Sequence, residues 1–147
     1  MTYQEKPTAT IRAALKELLT GNLGEGIVFY EYFPAAGVRG PCVVAQNVAG
    51  FASDIAIGED VDSGKKGHDI TIVLQFDVYH STSDKRDELA DKFLFVIWKG
   101  RAWLKDEHGI EYSPPKRIQD LQPGQTGEHL YGKSIDIAFT ITMTAIT

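Results

Sequence analysis

The chain has 147 residues, 43% hydrophobic and 24% charged, enough for one well-buried core and evenly mixed enough to argue against disorder or two independent domains. A net charge of −5 and a pI near 5.3 argue against nucleic-acid binding by phosphate neutralisation. The short basic stretches Lys65-Lys66, Arg39 and Lys116-Arg117 read as solvated loop charge.

Met1–Pro7 has no apolar signal-peptide core, and no window approaches the roughly 18 apolar residues of a membrane span, so neither export by that route nor anchoring is expected. Thr8 or Thr10 is the expected cap of a first helix, whose apolar Ile11, Ala14, Leu15, Leu18 and Leu19 recur at three- and four-residue steps until Gly21 stops it. Ile27–Phe33, rich in β-branched and aromatic residues and closed by Pro34, predicts a strand. Cys42–Ala45 predicts a short second one. Periodicity then fades across Asn47–His68, which reads as a long loop or hairpin.

Ile70, Ile72, Leu74, Phe76 and Val78 alternate with Thr71, Val73, Gln75, Asp77 and Tyr79, the period of a half-buried strand. Ser81 or Ser83 should cap a second helix with Leu89, Ala90, Phe93, Leu94 and Ile97 on one face and Gly100 at its end. Trp103-Leu104 reads as a few extended residues, and Ser113-Pro114-Pro115 breaks the chain before a short strand over Lys116–Leu121. The clearest strand is the last, Ile135–Ala145, where Ile135, Ile137, Phe139, Ile141 and Met143 alternate with Asp136, Ala138, Thr140, Thr142 and Thr144. The order predicts one α+β domain over residues 1–147. It should hold a single mixed, mainly antiparallel sheet, with two amphipathic helices on one face and a wet opposite face that keeps Asp77, Asp136 and the threonines.

No catalytic or metal-binding constellation stands out in the sequence. Cys42, the only cysteine, forms no internal disulfide and reads as a small buried hydrophobe, since His68, His80, His108 and His129 show no spacing that would activate a thiol. Glu59-Asp60-Val61-Asp62-Ser63-Gly64 departs from the calcium-loop pattern: its glycine comes one place early and no closing glutamate follows. The glycines of Gly21–Gly26 follow a helix and lack the nucleotide-binding spacing. Asp77 with His80 lacks a nucleophile. Trp98 and Trp103 around Lys99-Gly100-Arg101 offer stacking surface for single strands, yet Trp98 beside Ile97 reads more simply as a capping and core residue. No enzyme activity, cofactor or metal is expected.

The order of elements resembles that of tail terminator proteins of tailed bacteriophages, also called tail completion or tail-to-head joining proteins. The resemblance rests on the helix Ile11–Leu19, the proline-led Pro41-Cys42-Val43-Val44, the strand Val73–Tyr79, the polar Ser81–Arg86 leading into Asp87–Trp98, and the last alternating strand. It implies a virion structural protein of the tail or neck, assembled in the host cytoplasm. Copies would form a ring, usually of six, that caps the tail tube protein and meets the head connector or neck protein, with DNA passing through without specific binding and with no membrane contact. The loop would then touch neighbours or tube through Phe51, Ile55 and Ile57, while Asp54, Glu59, Asp60 and Asp62 face the lumen if the loop turns inward, or solvent if it does not. Another neck or tail tube subunit, a monomeric binding module, and an enzyme with an unfamiliar site are the competing readings.

Overall fold

The computed structural model describes residues 6–38, 40–54, 65–121 and 130–146, with side chains over 6–38, 40–46, 69–121 and 130–142. Among these the chain runs α1 (Pro7–Leu19), β1 (Val28–Tyr30), β2 (Cys42–Asp54), β3 (Lys65–His80), α2 (Ser83–Lys99), α3 (Arg101–His108), β4 (Ile110–Tyr112), β5 (Arg117–Leu121) and β6 (Tyr131–Ile146). The six strands form one mixed, mostly antiparallel sheet in the order β1-β2-β3-β6-β4, with β5 also paired to β6, and the fold is α+β as expected. The final strand is longer than its alternation suggested, because β6 pairs with β3 from His80↔Tyr131 through Lys65↔Ile146.

The pleat separates two environments. Ile72, Leu74, Phe76 and Val78 of β3 and Ile135, Ile137, Phe139 and Ile141 of β6 project to one face. There they pack with Ile11, Ala14, Leu15 and Leu19 of α1, with Leu89, Ala90, Phe93 and Ile97 of α2, and with Leu104 of α3. Phe76 sits at the centre, 4.8 Å from Phe93 and 6.2 Å edge-on from Phe139 between ring centroids.

Several local expectations are corrected. Neither Thr8 nor Thr10 caps α1: Lys6 is the capping residue with no side-chain hydrogen bond, and Pro7, whose fixed φ suits a first turn, begins the helix. Only Val28–Tyr30 of the expected strand Ile27–Phe33 joins the sheet, parallel to Cys42–Val44. Arg12 on α1 draws the next residues off the ladder, donating to the Glu31 carbonyl and lying 4.3 Å over the Tyr32 ring. Thr82, not Ser81 or Ser83, caps α2 by accepting from the Lys85 amide. Trp103-Leu104 is helical. Gly100 ends α2 and opens α3, Leu104 is fully buried beneath it, and Gly109, at φ 68°, closes it in the left-handed conformation.

The long loop Asn47–His68 is also overturned in part: β2 continues to Asp54 and β3 begins at Lys65, paired to Asp54↔His68 with a bulge between Asn47 and Ala49. Opposite, β4 and β5 make one interrupted edge along β6. Their register along β6 slips across Ser113–Lys116, where Pro114 and Pro115 supply no amide hydrogen.

Candidate functional site

The helix-free face of the sheet is not uniformly wet. At one end Val38, Cys42, Val44, Tyr79 and Leu130 form a second apolar cluster, with Tyr30 and Leu121 against it. Gly132 makes this possible, because the Tyr79 ring lies where a β-carbon on that residue would stand. Burial first, and then the nearby Asp77, pushes the Cys42 thiol up to about 12, so Cys42 is a packing residue as the sequence suggested.

Beyond that cluster comes a polar row. Asp77 is only 3% exposed, which corrects the expectation that it faces water. Gln46 Nε2 donates to Asp77 Oδ2 and Gln75 Nε2 to Asp77 Oδ1, each at 2.8 Å. Burial raises the Asp77 carboxyl above its ordinary value, and the glutamine hydrogen bonds oppose it. On β6, Asp136 Oδ2 meets Arg117 Nε of β5 at 3.2 Å, while Asp136 Oδ1 is buried with no hydrogen-bond partner among the described residues. Farther along, Thr71 and Thr140 share a 2.9 Å hydrogen bond, and Thr142 donates to Asp69 at 3.0 Å. These cross-strand pairs satisfy one another and fix strand register. Asp77 and Asp136 are two neighbouring carboxylates in this row, with Ser134 opposite Asp77.

The helical side carries the open surface. Lys133 and Arg86 share Asp87 and Asp120 there: Lys133 Nζ is 2.8 Å from Asp87 and 3.5 Å from Asp120, and Arg86 Nη2 is 3.0 and 3.5 Å from the same carboxylates. The network ties the first turns of α2 to β5 and β6, and Lys133 followed by Arg86 lowers the Asp87 carboxyl. Trp98, expected to cap and join the core, is 51% exposed instead, with Arg101 4.2 Å over its ring and Phe95 6.3 Å away. Trp103 is the tryptophan that packs on the core.

Among the described residues, three clefts open on this side. One, of about 500 Å³, lies between α3 and β4 and includes Arg101, Lys105, Glu111 and Tyr112. The other two, of about 320 and 300 Å³, share Lys92 and follow one flank of α2 past Leu23 and Ile27 to Leu18 and Asn22. Neither Asp77 nor Asp136 lines any of the three. Among the described residues no three His, Cys, Asp or Glu side chains gather as a metal site would need, and no helix is long and apolar enough to cross a membrane.

The residues proposed from sequence for assembly fall at the far end of the β2–β3 hairpin. Phe51 lies opposite Thr71 and Asp54 opposite His68. Ile55, Ile57, Glu59, Asp60 and Asp62 lie outside the described residues. The exposed Lys85, Lys92 and Lys99 along the paired clefts went unremarked in sequence, although their seven-residue spacing is the signal of one helix stripe.

No protein-family model matches the sequence, and no curated protein does. Among solved structures the chain is similar to the PVC sheath/tube terminator of an extracellular contractile injection system in its extended state, with a TM-score of 0.58 and 12% identity. The likeness covers 99% of this chain and 58% of that one, so this chain spans little more than half the length of the protein it matches. At that identity what the two share is the fold.

Proposed function

We propose that this chain is a tail terminator: a structural subunit, neither enzyme nor ligand carrier, that closes into a ring on the end of a tail tube and joins the tail to the head connector. The observation that carries this reading is the likeness of 99% of this chain to 58% of a sheath/tube terminator, with all three helices on one face of the sheet and β2, β3 and β6 paired well past the core. Helix-covered core positions on β3 run from Ile72 to Val78, whereas its pairing extends back to Lys65. That projecting ladder carries Phe51 and leads to Ile55 and Ile57, which we assign to contacts with neighbours or tube. The acidic balance of the chain suits a channel through which DNA passes without sticking.

Six copies of the 16.2 kDa chain would give a particle of roughly 97 kDa. Native mass spectrometry of the protein, alone and after mixing with tail tubes, should show a closed ring, and electron microscopy should show density at tube ends only. Binding along the tube wall would favour another neck or tube subunit. A monomer that ignores tubes at high concentration would refute the reading and favour a binding module.

A further inference from the structure

The two clefts that meet at Lys92 form one groove along α2 with an unusual combination of walls. Lys85, Lys92 and Lys99 recur every seven residues, are exposed, and form no ion pair among the described residues. Beneath them the floor is apolar, with Leu18, Leu23 and Ile27 from α1 and the segment after it. Glu88 is the one acid in either lining, and Asp84 and Asp91 project from the outward side of the helix. A groove that is basic at its rim and apolar at its floor fits an acidic segment with interleaved apolar residues.

The chain itself contains such a segment. Between β2 and β3, Ile55 and Ile57 lead into Glu59-Asp60-Val61-Asp62, and no basic residue interrupts them. We propose that this segment of one copy seats in the α2 groove of the next. The dimensions agree: Lys85 to Lys99 spans about 21 Å of helix, and Ile55 to Asp62 spans at most about 25 Å of extended chain.

The segment's own groove is not its seat. Its Lys85 end lies beside His80, at the opposite end of β3 from Lys65, and fifteen residues of strand put those two ends of β3 about 50 Å apart, too far for the segment of the same chain to lie along the groove's full length. Groove and segment are different surfaces, so the contact is head-to-tail and propagates around a ring. This inference rests on the reading of the chain as a ring subunit, and it moves Glu59, Asp60 and Asp62 from the channel to a joint between copies.

The test uses full-length protein. Lys92→Glu with Lys99→Glu should collapse the ring to the 16.2 kDa monomer, and so should Asp60→Lys with Asp62→Lys. All four substitutions in one chain should restore the ring, because the reversed surfaces again match. As a geometric check, copies carrying Lys92→Cys mixed with copies carrying Asp60→Cys should form a mixed disulfide on mild oxidation, and neither should cross-link alone. A ring whose mass survives either charge reversal, or a fourfold variant no better assembled than its parents, overturns the inference while leaving the ring itself intact. Loss of single-stranded DNA retention on reversal of Lys92 and Lys99, with the ring unchanged, would assign the groove to a polyanion instead. A wild-type chain that never assembles, with or without tubes, refutes the ring reading and this inference together.

Discussion

Substituting Gly132 by alanine sets two opposed effects against each other in one position. Its φ is not in the left-handed region, so alanine fits the backbone, and stiffening the unfolded chain alone would stabilise the protein by about 0.4–1 kcal/mol. The added β-carbon, however, would stand 2.8 Å from Tyr79 Cε1 and 2.9 Å from Leu121 Cδ1. Tyr79 is 5% exposed and packed against Cys42 and Val44, so its ring has little room to retreat. Overpacking of this kind costs about 1–3 kcal/mol, so the net expectation is a loss of about 1–2 kcal/mol. In a domain of this size each kcal/mol moves Tm by about 2–4 °C, well within the resolution of thermal unfolding followed by circular dichroism. Tyr79→Leu in the same chain should make room, so that the double variant is less destabilised than the two single losses added together. A Gly132→Ala protein that melts at or above the wild-type temperature would show that the Tyr79 ring does not lie across β6.

Four further outcomes follow from the same packing and charges. Phe93→Ala, which empties a fully buried position beside Phe76, should cost about 3–5 kcal/mol in urea unfolding; a loss below 1 kcal/mol would mean that α2 does not seat there. Asp77 has a raised carboxyl, so whatever stability its protonated form lends is present below the ordinary value of 3.8 and lost as pH rises through the folded value. Non-titrating Asp77→Asn should therefore gain on wild type as pH climbs from about 3 to about 7, and a gap that narrows instead would contradict the burial. Asp87 is the opposite case: its lowered value stabilises above 3.8 and fails as pH falls through the folded one, so Asp87→Asn should lose stability at neutral pH and match wild type in acid. High salt should shrink that loss. Cys42 should resist a thiol reagent at neutral pH until the protein unfolds, and rapid labelling of native protein would place it at the surface.

What could be read in the sequence was whatever repeats with a period. Ile72 through Val78 and Ile135 through Ile141 state their face at every second residue, and Leu89, Ala90, Phe93 and Ile97 do so at helical spacing, so the core follows from them directly. The β2 extension beyond Asn47 states no such period. Its strand character comes from its partner: Ala49 through Asp54 pair with His68 through Val73, which are themselves held by β6. Helix α3 was missed for a related reason, since eight residues with one fully buried side chain, Leu104, make no stripe. The burial of Asp77 depends on Gln46, thirty-one residues away, which no local pattern reveals. The candidate joint was half legible: the acidic, apolar segment at Ile55–Asp62 stands out, but its complement needs α1 and α2 side by side.

The Pro114-Pro115 interruption bears on how copies of this protein can meet. A sheet that ends in a long, regular strand invites its own kind to add another, and growth by such main-chain pairing has no natural stopping point. Here one border is broken by two residues that carry no amide hydrogen, while on the other the three-residue β1 covers β2 only over Cys42–Val44. Along the interrupted border, copies that met would have to join through side chains, whose shapes and charges fix an angle between neighbours. An angle that repeats can close on itself, and a closed assembly has a fixed number of members.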